Sequence, residues 1–208
     1  MSQITISLPD GSARQVPAGT TAGDLAASIG RRLAKAAVAA TADGEEVDLG
    51  RPLDDGARVS IITADTEAGR HVLRHSTAHV MAQAVTQLFP GAKFSIGPAI
   101  EHGFYYDFEL PGGRTFNDDD LVAIAATMRE IIAADQRFER SEVSAEEALG
   151  VFADQPYKVE IIQGVAANPD EAASQGAAGP VISVYSNGRP DGSAWPDLCR
   201  GPHIPTTK

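Results

Sequence analysis

The sequence predicts an α+β protein in two parts, a small strand-rich part over residues 1–63 and a larger α+β part over residues 64–208. Short apolar–polar alternations, separated by turn residues, fill the first part. A single long helical pattern opens the second part, and short strand patterns and capped helices follow it. With 43% apolar residues, the chain can bury cores of this size.

The first part contains two strand patterns, a helix and three further strand patterns. Residues 4–8 alternate apolar and polar side chains, and the turn at Pro9-Asp10-Gly11 leads to a second strand over residues 13–16. A helix is predicted over residues 21–29, where Thr20 or Thr21 caps its start and Gly30 ends it. Further short strands are predicted over residues 37–41, 45–49 and 58–63.

The second part begins with a long helix that is predicted to start at the polar boundary Thr63-Ala64-Asp65-Thr66 and to run to about Leu88. Its stop is Phe89-Pro90-Gly91, because proline cannot continue a helix. His71, His75 and His79 are spaced by four residues, and they therefore form one stripe along this helix.

Aromatic strand patterns and turns follow the long helix. Strands are predicted over residues 93–96 and 104–110, with a glycine-bounded loop over residues 97–103 between them. Pro111-Gly112-Gly113 predicts a hairpin turn into residues 114–116.

The remainder of the second part mixes helices and strands. Asn117 is predicted to cap a helix over residues 118–134, and Ser144 with Glu147 forms a capping box for a short helix to residue 153. Residues 157–163 fit a strand or a helix equally well. Strands over residues 138–143 and 181–186, a surface insertion over residues 168–179 and a tight turn at Asn187-Gly188 complete the prediction.

Composition and charge limit the class of protein. The chain has no apolar run long enough to span a membrane, and its start does not resemble a signal peptide. The single cysteine, Cys199, excludes an intramolecular disulfide and predicts a reducing, cytoplasmic location. The net charge is −11, with −2 over residues 1–63 and −9 over residues 64–208. If the chain acts on RNA, most of the affinity is therefore expected to come from elsewhere.

The strongest chemical pattern joins His75 and His79 to a distant segment that contains Cys199 and His203. Histidines four residues apart on a helix present two nitrogen atoms to one point. The residue after His75 is Ser76, whereas zinc proteases with this spacing carry a glutamate there, so a protease of that type is not expected. The four side chains form either a tetrahedral zinc set or three ligands with a base.

Further candidates have weaker patterns. Lys158, in an apolar segment, is a candidate for orienting a water molecule or a carbonyl oxygen, and Asp197 for orienting a histidine or binding an amino group. The candidate substrate-binding residues are Gly97, Pro98, Tyr105, Tyr106 and Arg200. Glycine permits close backbone approach to a ligand, and Arg200 would favour the thiolate form of Cys199.

Four motifs in this order closely resemble the N-terminal half of bacterial threonyl-tRNA synthetases. They are Arg74-His75-Ser76-Thr77-Ala78-His79, Gly97-Pro98-Ala99-Ile100-Glu101-His102-Gly103-Phe104-Tyr105-Tyr106-Asp107, Tyr157-Lys158 and Asp197-Leu198-Cys199-Arg200-Gly201-Pro202-His203. The resemblance implies a TGS domain, a ubiquitin-like β-grasp module, over residues 1–63. It implies an editing domain over residues 64–208, of the kind shared with alanyl-tRNA synthetase, in which the His-xxx-His helix packs on an antiparallel sheet.

By this resemblance, the expected activity is hydrolysis of serine wrongly attached to the threonine tRNA, with threonyl-tRNA spared. His75 and Lys158 would hold and activate the attacking water. His79, Cys199 and His203 would shape the pocket, and Asp197 would bind the amino group or position a histidine. The expected partners are the 3′ end of the tRNA and the remainder of the synthetase. The aminoacylation and anticodon-binding domains, with their ATP and zinc, are not expected in this chain.

Two alternatives remain open at this point. Alanyl-type relatives hold zinc with the residues that match His75, His79, Cys199 and His203, so a zinc-dependent aminoacyl-tRNA deacylase is the first. A non-catalytic RNA-binding module is the second. Threonyl-type enzymes are generally thought to edit without zinc, and editing is therefore expected to need no metal here.

Overall fold

The computed structural model describes residues 2–167 and 182–208, and it divides the chain into two compact units. The first unit is Met1–Arg74 with Gly201–Pro205, and the second is His75–Arg200 with Thr206–Lys208. The predicted domain boundary between residues 63 and 64 stays a prediction. The predicted insertion at residues 168–179 lies outside the described residues.

The first unit contains two small antiparallel sheets and two helices. Its elements are β1 (Gln3–Ser7), β2 (Ala13–Pro17), α1 (Ala22–Ile29), α2 (Arg31–Ala36), β3 (Ala37–Ala42), β4 (Glu45–Val47) and β5 (Val59–Thr63). β1 pairs with β2, and β3 lies between β4 and β5. A parallel bridge between Ser7 and Arg58 places the end of β1 beside the start of β5. The predicted α+β class is confirmed for this unit.

A continuous apolar core holds the first unit together. It includes Ile6 and Leu25, both fully buried, with Val59 beside them. Thr21 caps α1 through a capping box with Asp24, as the sequence predicts, and Gly30 ends the helix. Helix α2 is an element that the sequence analysis missed. No side chain caps its first turn, and none of its residues is buried. The sequence therefore shows neither a capping residue nor an apolar face that would predict this helix.

The long helix α3 spans Glu67–Leu88, which confirms the predicted element. The Thr66 hydroxyl accepts a hydrogen bond from the Gly69 N–H at 3.0 Å and so caps its first turn. Within the second unit, Ala78 and Ala82 of this helix are fully buried against Phe94, Tyr106 and Trp195. These small side chains let the aromatic layer lie close to the helix backbone.

The second unit surrounds the later part of α3 with three more helices and short strands. Its elements are β6 (Lys93–Phe94), β7 (Ala99–Ile100), β8 (Gly103–Phe104), β9 (Phe108–Glu109), α4 (Asp118–Ala133), β10 (Phe138–Val143), α5 (Ala145–Val151), α6 (Pro156–Ala167), β11 (Ile182–Gly188) and β12 (Ala194–Leu198). β10, β11 and β12 form an antiparallel sheet in that order. The caps at Asn117 and Ser144 are confirmed, and α6 shows that residues 157–163 are helical.

Three local predictions in this unit are wrong. The aromatic strand expected over residues 104–110 is interrupted, and its two ends pair separately as β7–β8 and β6–β9. Pro111–Gly113 is a single 3₁₀ turn, and no strand follows it at residues 114–116. Asn187 and Gly188 lie within β11, where they pair with Trp195 and Ala194, so the hairpin turn comes later in the sequence.

Among the residues that the structure describes, no helix combines the length and the apolar character that crossing a bilayer requires.

Candidate functional site

Helix α3 supplies two imidazoles to the candidate site. The four-residue spacing places His75 and His79 on one face, and their ring centroids are 5.1 Å apart in an edge-on arrangement. His79 is only 2% exposed, whereas His75 is half-buried. His75 is therefore the more accessible of the two to a water molecule or a substrate.

Strand β12 and the residue after it supply the acidic and thiol groups. Side chains alternate across a strand, and Trp195, Asp197 and Cys199 share the buried face. The Cys199 Sγ atom lies 3.1 Å from His75 Nε2. The structure thus brings together His75, His79, Asp197 and Cys199, which the sequence analysis selected from two distant segments.

Asp197 lies at the centre of a buried polar network. Its Oδ1 atom is 2.6 Å from Lys158 Nζ, and its Oδ2 atom accepts a 2.6 Å hydrogen bond from the Tyr106 hydroxyl. Lys158 also donates to the Tyr106 hydroxyl at 3.1 Å. His79 Nε2 is 3.4 Å from the same Oδ2 atom. Burial of a carboxylate is costly unless it is paired, and here the ammonium and the phenol both satisfy it.

Helix α6 delivers Lys158 into this network, although the residue is only 2% exposed. Its Nζ atom lies 5.1 Å from the centre of the Phe94 ring and 5.6 Å from that of Tyr106. Aromatic faces at this distance stabilise a cation that has left water. Lysine side chains are usually exposed to solvent, whereas that of Lys158 is buried.

Burial keeps the side chains of Tyr106 and His79 in their neutral forms. Burial, together with the nearby Asp197 charge and hydrogen bond, raises the pKa of Tyr106 well above its usual value. Burial also lowers the pKa of His79 well below its usual value, and the charges of His75 and Lys158 lower it further. Tyr106 therefore remains a hydrogen-bond donor at neutral pH, and the contact of His79 with Asp197 is then not an ion pair.

The predicted substrate-binding residues occupy different environments. Tyr106 is 8% exposed and belongs to the Asp197 network, whereas Tyr105 is 44% exposed. Pro98 is half-buried and Arg200 is exposed. A Cβ atom on Gly97 would lie 2.0 Å from the Tyr106 ring, so this glycine leaves the space that the tyrosine occupies.

His203 belongs to the first unit, within the segment Gly201–Pro205. Its backbone N–H donates to Asp48 Oδ1 at 2.9 Å, and the residue is 1% exposed. The role predicted for its imidazole stays a prediction.

The donor atoms of His75, His79 and Cys199 lie within 4.8 Å of one another, so this cluster could hold a metal ion. Imidazole and thiolate are the ligands that zinc prefers. Two such ligands of a tetrahedral zinc ion lie about 3.5 Å apart. The 3.1 Å between His75 Nε2 and Cys199 Sγ also permits a direct contact between the imidazole and the thiol.

Comparison with known proteins first defines the class. Residues 4–63 match the TGS domain family, and the fold of the first unit agrees with that match. The protein is therefore a TGS domain followed by an α+β region.

The whole chain is homologous to the N-terminal region of bacterial threonyl-tRNA synthetases, which is consistent with a TGS domain plus an editing domain. It is 49% identical over its full length to the threonine–tRNA ligase of Pelobacter propionicus and 47% identical over its full length to that of Citrifermentans bemidjiense. Over 98% of its length it is 44% identical to the threonine–tRNA ligase of Rubrobacter xylanophilus. The chain spans about 30% of the length of these relatives.

Proposed function

We propose that the chain is the editing part of a threonyl-tRNA synthetase and hydrolyses the ester of seryl-tRNA(Thr) while sparing threonyl-tRNA(Thr). The observation that carries this proposal is the buried cluster of His75, His79, Lys158, Asp197 and Cys199 in a chain whose whole length is homologous to such synthetases. The partners that follow are the 3′ end of the tRNA and the remainder of the enzyme. A cytoplasmic location stays a prediction.

The need for such an activity follows from the small difference between the two amino acids. One missing methyl group gives only about 1–3 kcal/mol of discrimination in a binding pocket. A synthetic site that accepts threonine therefore also accepts serine at a measurable rate. A second site that admits serine and excludes the larger side chain removes the error.

The proposed chemistry is attack of water on the ester carbonyl carbon, with departure of the ribose oxygen. His75 is the candidate for holding and activating that water, because it is the half-buried imidazole of the pair. His79 is a neutral, buried neighbour that shapes the pocket with Cys199. His203 is proposed to complete that wall.

Lys158 and Asp197 are proposed to set the electrostatics of the site. The ammonium group is engaged with the carboxylate and the Tyr106 hydroxyl, so its charge is fixed in place. Such a fixed positive charge would stabilise the oxyanion that develops on the attacked carbonyl. The short distance from His79 to the buried carboxylate favours positioning of the imidazole as the role of Asp197.

The test is a pair of deacylation assays with the 208-residue chain on seryl-tRNA(Thr) and threonyl-tRNA(Thr). Seryl-tRNA should be hydrolysed at least about tenfold faster, since the extra methyl group must be excluded. His75→Ala should lower the seryl rate by about 10²-fold, the smallest loss typical of a missing acid–base group. His71→Ala, an exposed histidine one turn earlier on α3, is the matched control and should act like the wild type. Equal rates on both substrates would disprove the proposal.

Zinc-dependent hydrolysis is the second candidate, favoured by the clustered donor atoms of His75, His79 and Cys199. These residues would hold the ion, with His203 as the predicted fourth ligand. A bound zinc ion would lower the pKa of its water and so supply hydroxide near neutral pH. Stoichiometric zinc in the purified protein, with activity lost to a chelator and restored by zinc, would establish this alternative. Activity that survives the chelator would favour the metal-free reaction.

A further inference from the structure

A cleft in the second unit is lined by none of the residues of the histidine cluster, although its Trp195 ring lies 6.1 Å from that of His79. It has a volume of about 490 Å³, within the range of about 300–1,000 Å³ that is usual for small-molecule sites. The end of β6, the turn before α6 and the β11–β12 turn all contribute to its wall. The residues that line it and that matter here are Thr86, Lys93, Phe94, Asp154, Arg189 and Trp195.

The charged groups of this cleft are mostly positive. Lys93 and Arg189 line it, and the only carboxylate that lines it among the described residues is that of the exposed Asp154. Lys93 Nζ donates to the backbone oxygen of Asp154 at 2.6 Å, which fixes the ammonium at the wall and leaves the carboxylate out of the bond. Neither cation forms a salt bridge within the part of the chain that the structure describes.

Arg189 has hydrogen-bonding capacity that the described residues do not use. Its Nε–H is buried and has no hydrogen-bond partner among them. One terminal nitrogen of its guanidinium lies 3.5 Å from the Ser193 hydroxyl, at the limit of a hydrogen bond. Because this Nε–H is closed to water, an anion in the cleft would be held by the other guanidinium nitrogens of Arg189, which lines the cleft.

The remaining wall is apolar and aromatic. Phe94 and Trp195 are stacked with ring centroids 5.6 Å apart, and the indole N–H donates to the Thr86 hydroxyl at 2.9 Å. Asp154 and Gln155 directly precede α6, so the positive end of that helix dipole lies at the same wall. Phe94 is 4% exposed and Trp195 5% exposed, so only small parts of the two rings reach the cleft, and the two cations are its main recognition groups.

We propose that the cleft formed by Lys93, Arg189, Phe94 and Trp195 binds a phosphate group of a nucleotide, either a free nucleotide or one within an RNA strand. The guanidinium and ammonium groups hold the phosphate, and the apolar wall accepts the attached sugar or base. This inference does not depend on the proposed deacylation, because it concerns binding in a different cleft and needs no turnover.

Trp195 makes the test direct, because it is the only tryptophan of the chain and it lines the cleft. The 208-residue protein is titrated with inorganic phosphate, AMP and a single-stranded RNA dodecamer while its tryptophan fluorescence is recorded. A saturable change is expected with at least one nucleotide probe. AMP binding would assign the site to a free nucleotide, and a change with RNA alone would assign it to an RNA strand.

Two substitutions and one control decide whether the cations are responsible. Arg189→Gln and Lys93→Gln should each weaken binding of the active probe by about tenfold, the loss expected for one charge-assisted hydrogen bond. Lys93→Arg keeps the charge and should retain binding. Arg129→Gln removes the same charge from the exposed face of α4 and should leave the dissociation constant unchanged.

Near-UV circular dichroism of the variants shows whether the aromatic wall is intact, so misfolding is separated from loss of binding. If neither AMP nor the RNA gives a saturable signal, the proposal is overturned, even where inorganic phosphate alone gives one. Equal weakening by Arg129→Gln and Arg189→Gln would also overturn it, since the effect would then reflect net charge alone. Deacylation that fails while AMP or RNA binds would count against the proposed function only.

Discussion

Asp197 shows why the second unit tolerates a full set of polar groups in its interior. The carboxylate is completely buried, but an ammonium and a phenol lie 2.6 Å from its two oxygens. Two opposite charges at this distance attract strongly where water is excluded, and the attraction offsets their lost hydration. Removing one member should therefore cost more than removing both.

This reasoning predicts a non-additive pair of substitutions. Asp197→Leu or Lys158→Met alone should destabilise the protein by about 3–5 kcal/mol, because each leaves one buried charge without its partner. The double variant should be closer to the wild type than either single variant. Urea unfolding of the four proteins, followed by circular dichroism, gives the free energies of unfolding. Additive losses would mean that the two charges are not coupled.

At the residue scale the sequence predicted the histidine pair and the thiol, because helical and strand spacing determine which side chains share a face. It did not predict that Tyr106 joins Asp197, although both were named as candidates. The two residues are 91 positions apart, and only the tertiary fold brings them together. The sequence made Lys158 a candidate but did not predict its burial. Apolar neighbours in sequence do not distinguish a buried lysine from an exposed one.

At the scale of elements, helix starts are the best-determined feature of the fold. Capping boxes join Thr21 to Asp24, Asn117 to Asp120 and Ser144 to Glu147. The sequence predicted the caps at Asn117 and Ser144 at the residues where they occur, and it limited the α1 cap to Thr20 or Thr21. These predictions are possible because a cap is a local hydrogen-bond pattern. The interruption of the strand around Tyr106 was not predicted. The aromatic residues of this segment favour a strand, but Tyr106 packs against α3 and the strand pairing breaks there.

The α1 cap predicts a loss of stability on truncation of its hydroxyl. Thr21→Ala should cost about 1 kcal/mol at neutral pH, because the first turn loses one acceptor for its N–H groups. The measurement is the free energy of unfolding in urea. Thr66→Ala on α3 provides a second cap of the same type, and a similar cost is expected there.

The same cap predicts a dependence on pH. Hydrogen bonds from the side chain and backbone of Thr21 lower the pKa of Asp24 below 3.8. Since the folded-state pKa is below the unfolded value, this stabilisation is complete above the unfolded value and is lost as the pH falls through the folded value. Asp24→Asn should therefore be less stable than the wild type at neutral pH, and the difference should shrink in acid. A stability difference that stays the same between neutral and acidic pH in unfolding experiments would contradict this interpretation.

At the scale of the whole molecule, the distribution of charge limits RNA binding. The net charge is −11, and residues 64–208 hold −9 of it. Phosphate contacts need cations, and a net charge of this sign opposes the approach of an RNA backbone. The predicted α+β class is confirmed at this scale. The grouping of Gly201–Pro205 with the first unit was not predictable, since it depends on contacts far apart in sequence.

The charge predicts that the 208-residue chain binds uncharged tRNA(Thr) weakly by itself. The dissociation constant should lie at about 10⁻⁴ to 10⁻⁶ M at physiological salt, the range of non-specific binding. Fluorescence anisotropy of labelled tRNA, at several salt concentrations, gives the affinity and its salt dependence. Nanomolar binding with a steep salt dependence would contradict this and would require a cationic surface that the charge balance does not indicate.

The close packing of Tyr106 on Gly97 has a consequence for the interpretation of genetic variants. An added methyl group at this position would overlap the ring whose hydroxyl bonds to Asp197. A substitution at this loop glycine should therefore disturb the Asp197 network through the tyrosine, independently of any contact between the glycine and a substrate. Variants at position 97 and at Tyr106 should therefore share a phenotype, because both act on the position of the same phenol ring.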